Sequence, residues 1–269
     1  MTNLFRVLRV IYEYLVLYTA LLCFAVFGVL FTILCAVLYV LLPRKTGIWF
    51  GRNAIGWLFR SYLALLCGTG LLKLDLSEFD KLRREKGLIV APNHPSLLDA
   101  VFVISRLPDI ACIMKSGIRD NVVLGGGARL AGYIRNDTTA EMVREAARVL
   151  RSGQTLLVFP EGTRTRSGPV NPFRGGFALI AKRARAPVQT VFIETNSRFL
   201  GKGWPILKKP QLPLVYRARL GKRFEVDGDV KSFVARLESY FRNSLEAGPD
   251  AGTSAQAAAA EVGDSATAS

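Results

Sequence analysis

His94 is the only histidine in this 269-residue chain, and Asp99 follows it five positions later in the stretch Leu88–Asp99, LIVAPNHPSLLD. An imidazole with a carboxylate in reach is a minimal kit for general-base chemistry near neutral pH. The carboxylate would fix one ring nitrogen as donor, leave the other as acceptor, and stabilise the imidazolium once it takes a proton. A second polar stretch, Val158–Thr165, reads VFPEGTRT and puts Glu161 and Arg164 in a Gly/Thr turn. Arg164 has the forked geometry that grips a phosphate, with turn N–H groups beside it. A plainer reading of the same residues stands beside this one: a helix-capping histidine, a surface aspartate and a local Glu–Arg pair in a loop.

Both stretches leave strands. Leu88–Ala91 is a short apolar run, and Gln154–Phe159 is another. Pro95 disfavours helix at His94 and itself suits a first helical turn, so His94 falls at a strand-to-helix junction. Open α/β sheets place ligand sites at such carboxyl ends. Further strands are expected at Leu72–Leu76, Ile110–Met114 and Val188–Ile193, with Val215–Val226 as two strands joined near Gly221. Helical patterns cover Ser77–Glu85, Ser96–Arg106 and Val230–Leu245; another helix opens on the capping box Thr138-x-x-Glu141 and closes at Gly153. Arg198–Pro213 reads as a loop, and Gly125–Gly127 as a turn or close helix contact. The pattern predicts an α/β fold: a mixed, mostly parallel sheet flanked by helices, with N-terminal membrane-anchoring helices.

The anchoring expectation rests on Tyr14–Leu42, 29 residues without a charged side chain, long enough to span a bilayer with tilt. A helical hairpin within one leaflet is the competing reading. Arg6 and Arg9 precede this run; Arg44, Lys45, Arg52 and Arg60 follow it, which biases the C-terminal side toward the cytoplasm. Ile48–Leu72 mixes Trp49, Trp57, Phe59 and Tyr62 with arginines. It reads either as an interfacial helix or as a first core helix. We divide the chain into residues 1–70 (membrane segment and interfacial helix), 71–245 (catalytic domain) and 246–269 (disordered tail).

The formal net charge is +15, from 36 Lys+Arg against 21 Asp+Glu, and the tail holds none of the basic residues. Such a body is drawn to a phospholipid surface, a nucleic acid or an acidic carrier protein. Lys182–Arg223 alone holds eleven Lys/Arg and one acid, Glu194. The four cysteines form no CxxC pair, which argues against a disulfide framework or a zinc site. A serine-hydrolase elbow and a P-loop are both missing, and no motif for reading nucleic acid accompanies the charge.

Taken together, NHPSLLDA and FPEGTRT resemble the glycerol-3-phosphate and 1-acylglycerol-3-phosphate acyltransferase family, the lysophospholipid acyltransferases with an HxxxxD motif. The resemblance covers roughly residues 71–226. It implies a membrane-bound O-acyltransferase that moves an acyl chain from acyl-CoA or acyl carrier protein to a lysophospholipid, with 1-acyl-sn-glycerol-3-phosphate the leading acceptor. His94 would then be the base and Asp99 its orienting partner. Glu161, Gly162, Thr163, Arg164 and Arg135 would bind the acceptor, and Lys115 and Pro187 would contact donor or phosphate. No metal or other cofactor is implied. The setting would be a bacterial-type inner membrane, with the catalytic domain facing the cytoplasm. One departure stands out: where the family's second motif has an arginine after an aspartate, this chain has Asp137-Thr138. A glycolipid, an amino-acid lipid or a specialised acyl product is therefore an alternative acceptor. A non-catalytic lipid-binding membrane protein is the alternative from another class.

Overall fold

In this computed structural model, residues 2–107, 109–115, 117, 121–136 and 139–248 are described. Helices α1 (Thr2–Leu41) and α2 (Arg44–Gly68) lead into strand β1 (Leu72–Asp75) and a 3-10 turn at Ser77–Leu82. Then follow β2 (Ile89–Pro92), α3 (Leu98–Arg106), β3 (Ala111–Met114), α4 (Gly125–Leu130), β4 (Ile134–Arg135) and α5 (Thr139–Arg151). The remainder is β5 (Leu156–Leu157), α6 (Gly176–Ala184), β6 (Val188–Thr195), β7 (Leu214–Phe224) and α7 (Val230–Glu246). The seven strands form one sheet in the order β1-β7-β6-β2-β5-β3-β4. All neighbouring pairs are parallel except β6–β7. The expected mixed, mostly parallel architecture is what the chain adopts.

The order matters for chemistry because β2 and β5 are adjacent and parallel, Val90 level with Leu157. The two polar stretches therefore emerge side by side from the same edge of the sheet. β2 is buried along its whole length, which explains its unbroken apolar run between two helical layers.

Two readings need correcting. Val215–Val226 holds one strand, not two: β7 runs unbroken through Gly221. A Cβ at Gly221 would come within 2.4 Å of Thr190 Oγ1 and 2.6 Å of a Phe192 ring carbon. The glycine thus marks a close approach beside the register shift between Gln189 and Val191, not a turn. Gly221→Ala should cost about 1–3 kcal/mol by overpacking. A melting curve would show it as a Tm lowered by roughly 3–10 °C, with kinetic constants unchanged. The segment at Ser77–Glu85 is likewise only a 3-10 turn, Ser77–Leu82. The capping residue expected at Thr138, the neighbouring Asp137 and the tail from residue 249 lie outside the described residues.

The N-terminal helices share the core rather than preceding it. Leu17 and Ala20 of α1 and Ile55, Phe59 and Leu63 of α2 join one buried cluster with Phe102 and Tyr216. The change of texture at residue 70 is a change of element type, not a break in packing. α2 is a core helix on one face and exposes aromatics on the other. Its Gly47, Gly51, Ile55, Phe59 and Leu63 face inward, while Trp49 and Trp57 are 60% and 69% exposed.

Leu4–Leu41 contains an 18-residue window of mean hydropathy 2.9 and is long and apolar enough to cross a membrane. Yet α1 lies along the domain. Lys209 pairs with Glu13 at 2.5 Å near one end, and Thr32 donates to the Val123 carbonyl at 2.8 Å nearer the other. The nineteen residues between them correspond to about 28 Å of helix. Gly126–Gly127 is a close helix contact, since a Cβ at Gly126 would meet the Thr32 carbonyl at 2.3 Å. Two of the flanking cations counted toward orientation are structural. Arg52 Nε donates to Ala131 O at 3.0 Å, and Arg60 Nη2 donates to Ser105 O at 2.9 Å.

Candidate active site

β2 ends at Pro92, and the next two side chains take different tasks. Asn93 is buried and clasps the neighbouring strand: its amide donates to Ile193 O at 3.0 Å and its oxygen accepts from Ile193 N at 2.6 Å. This extends the β2–β6 pairing by side chain, so the chain leaves the sheet at a fixed angle. His94 then turns toward Asp99, with Nδ1 2.8 Å from Oδ2. Asp99 is fully buried in the first turn of α3. The same Oδ2 accepts from Ser96 N at 2.8 Å, while Ser96 Oγ accepts from Leu98 N at 3.2 Å. Ser96 and Asp99 thus tie the approach to α3 into a tight turn, and the Ser96 N–H helps hold the carboxylate toward the ring.

Burial pushes the Asp99 carboxyl up from its ordinary range, and the His94 ring and the Ser96 N–H work against that shift. Oδ1 is buried without a hydrogen-bond partner among the described residues. With Nδ1–H donating to Asp99, Nε2 is the ring's acceptor. The imidazole face stacks on Phe159, centroids 3.8 Å apart and planes 19° off parallel. Sequence reasoning missed Phe159. Its place two residues beyond the end of β5, within the same FPEGTRT stretch, was the signal that could have found it.

Glu161 is buried at 1% exposure. Its Oε1 accepts from the His94 backbone N–H at 2.9 Å, its Oε2 from Asn171 N at 2.8 Å, and both oxygens lie 2.9 Å from the Thr165 hydroxyl. Thr165 N in turn donates to His94 O at 2.7 Å. Burial pushes the Glu161 carboxyl up, opposed by these donors. Glu161 therefore buckles the two stretches together through the backbone of His94. The loop pairing of Glu161 with Arg164 does not form. Arg164 Nη1 instead donates to Leu200 O at 2.8 Å and Gly201 O at 3.1 Å, tying down the loop after β6. Gly162 adopts φ +65°, and an added Cβ would sit 2.7 Å from the Arg174 side chain. Thr163 lies half-buried between them.

Lys115 and Arg135 come to the same edge of the sheet. Lys115 follows β3, and Arg135 is level with Met114 on β4. Arg135 is three strand spacings, about 14 Å, from the level of Pro92 on β2. Pro187 is not brought to the site. Its carbonyl accepts from Ile89 N, at the opposite end of β2. Five residues of strand place it about 16 Å from His94. A proline before a strand looks the same in sequence at either end of a parallel sheet, and register alone settles which end it occupies.

Residues 73–194 match the family model described as Acyltransferase. That segment is similar to the acyltransferase family. The chain is 26% identical over 156 residues to human 1-acyl-sn-glycerol-3-phosphate acyltransferase beta, covering 55% of this chain and 54% of that protein. It is 29% identical over 137 residues to lyso-ornithine lipid O-acyltransferase of Rhizobium meliloti, covering 49% and 46% respectively. The chain thus spans about half the length of these curated relatives. The crystal structure of the 1-acyl-sn-glycerophosphate acyltransferase PlsC from Thermotoga maritima superposes with a TM-score of 0.62. That match is 21% identical and covers 91% of this chain and 99% of that one; it establishes the shared fold.

Proposed function

We propose that this protein transfers an acyl group from an acyl thioester to the hydroxyl of a lysolipid at a membrane surface. The observation that carries the reading is the His94–Asp99 pair at 2.8 Å, held by the Glu161 anchor on His94 N at 2.9 Å. His94 Nε2 takes the acceptor hydroxyl proton as that oxygen bonds to the thioester carbonyl carbon. Asp99 stabilises the imidazolium. As the tetrahedral intermediate collapses, the C–S bond breaks and the proton passes from Nε2 to the leaving thiolate.

The oxyanion needs backbone donors. Those at the start of α3 are committed: His94 N to Glu161, Ser96 N to Asp99, Leu97 N to Leu200 O and Leu98 N to Ser96 Oγ. We assign the role to the turn after β5, whose Thr163 and Arg164 N–H groups take no acceptor among the described residues. Exposed Arg166, Arg198 and Lys202 around the same turn support an anionic donor, acyl-CoA or acyl carrier protein.

We place α1 and the outer, tryptophan-bearing face of α2 against the bilayer, with the domain on the cytoplasmic side of a bacterial-type inner membrane. The exposed apolar side of α1 supports this seat. For the acceptor, 1-acyl-sn-glycerol-3-phosphate is the leading candidate. A second reading, an amino-acid lysolipid, draws on Thr138 in place of the arginine. The deciding experiment incubates the purified full chain with both donor types and a panel of lysolipids and reads the products by mass. A new diacyl product supports the reading; intact lysolipids with every donor sink it.

A further inference from the structure

A cavity of about 490 Å³ opens between the α1–α2 corner, α4 and α5. Arg44, Arg129 and Arg135 line it together with Glu141 and Glu145. Among the described residues, the side chains of Arg44, Arg129, Glu141 and Glu145 make no hydrogen bond or ion pair. The two glutamates are one turn apart on α5 and so share a face. Arg44 and Arg129 share the cavity with Glu141 and Glu145 without pairing with them, which suits a ligand that itself carries both signs. A phosphate monoester alone would meet the arginines and be repelled by two carboxylates.

The anionic end has a further attraction. α2 begins at Arg44 after Pro43, with no side chain capping its first N–H groups, so the positive end of its dipole adjoins the cavity. The remaining wall is apolar, with Leu42, Ile48 and Leu130 drawn from the N-terminal helices and α4. Polar charges of both signs beside an apolar wall on the membrane-facing helices describe a lipid site.

We propose that this cavity holds the head group of a zwitterionic lipid, its phosphate or carboxylate among Arg44, Arg129 and Arg135 and its ammonium on Glu141 and Glu145. The head group would lie about 14 Å along the sheet edge from the level of the base, since Arg135 is three strands from β2. It belongs either to the acyl acceptor or to a bilayer lipid that seats the enzyme. The acceptor assignment rests on the transferase reading; binding does not.

The test measures binding of lysophosphatidylethanolamine and lysophosphatidate of equal chain length to the detergent-solubilised full chain by titration calorimetry. Glu141→Gln/Glu145→Gln should weaken the ethanolamine lipid at least tenfold and leave lysophosphatidate unchanged or tighter. Arg129→Gln should weaken both. These side chains lie at the surface or half-buried, and circular dichroism checks that each variant keeps its fold. Equal affinity of the double variant and wild type for the ethanolamine lipid overturns the proposal, as does a wild type that binds neither lipid. Acyl-transfer kinetics identify the source: a raised KM for the zwitterionic acceptor in the double variant marks the acceptor. Lost binding with unchanged kinetics marks a bilayer lipid. If no lysolipid is acylated while the binding pattern holds, the transferase reading fails and this one stands.

Discussion

His94→Ala should lower kcat/KM for acyl transfer by roughly 100- to 10,000-fold, the range a single general base supplies. Asp99→Asn should act through kcat and leave the acceptor KM near its parent value. The reason is charge. Asp99 Oδ2 accepts from both His94 Nδ1 and Ser96 N. An asparagine with its amide oxygen in that position keeps both bonds but has no negative charge to stabilise the imidazolium that forms as the hydroxyl proton is taken. Neither change touches α1, so vesicle co-sedimentation should be that of the parent protein. Loss of the imidazole also removes the stack on Phe159, about 0.5–1.5 kcal/mol, so a small fall in Tm is expected alongside. A His94→Ala protein that acylates at near-parental rate would refute the mechanism. Equal rates for Asp99→Asn and wild type would strip Asp99 of its role in stabilising the imidazolium.

The His94–Asp99 pair was legible in the sequence because its interaction is local. Five residues separate the two, and Pro95 and the Ser96–Asp99 contact act within that span. The sheet class was legible for a similar reason, since each strand shows its apolar run on its own. What the residues do across strands was not. Glu161 looked like a ligand because a glutamate beside an arginine in a turn suggests a charged recognition site. Its actual partners are the backbone N–H groups of His94 and Asn171, and a backbone donor has no signature in sequence. Gly221 was read as a turn because glycine does mark turns. Its real constraint is Thr190 and Phe192 on the adjacent strand, known only once the register is known. Pro187 failed in the same way: its distance from His94 depends on which end of β2 meets its carbonyl. α2 was ambiguous for a different reason. Its inward face is a core face and its outward face carries tryptophans, and no single label describes both.

Glu161 gives the second large expected effect, and it separates two roles. If Glu161 anchors the His94 backbone, Glu161→Ala leaves two buried N–H donors, on His94 and Asn171, without acceptors. Each such loss costs about 1–3 kcal/mol. Removing a carboxylate that burial disfavours offsets part of this, so a net loss of about 2–4 kcal/mol is expected. That corresponds to a Tm lowered by roughly 5–15 °C. Glu161→Gln should fall between Ala and wild type, because its amide oxygen satisfies one of the two N–H groups and its NH2 faces the other. In both variants kcat should fall while the acceptor KM changes little, since the base is displaced and the acceptor's own contacts remain. If Glu161 instead touches the acceptor, the pattern inverts: Tm holds, KM rises, and the rise depends on which lysolipid is used. Thermal melts and steady-state kinetics on the same preparations decide between the two. The buried geometry, with all three donors within 2.9 Å, favours the anchor.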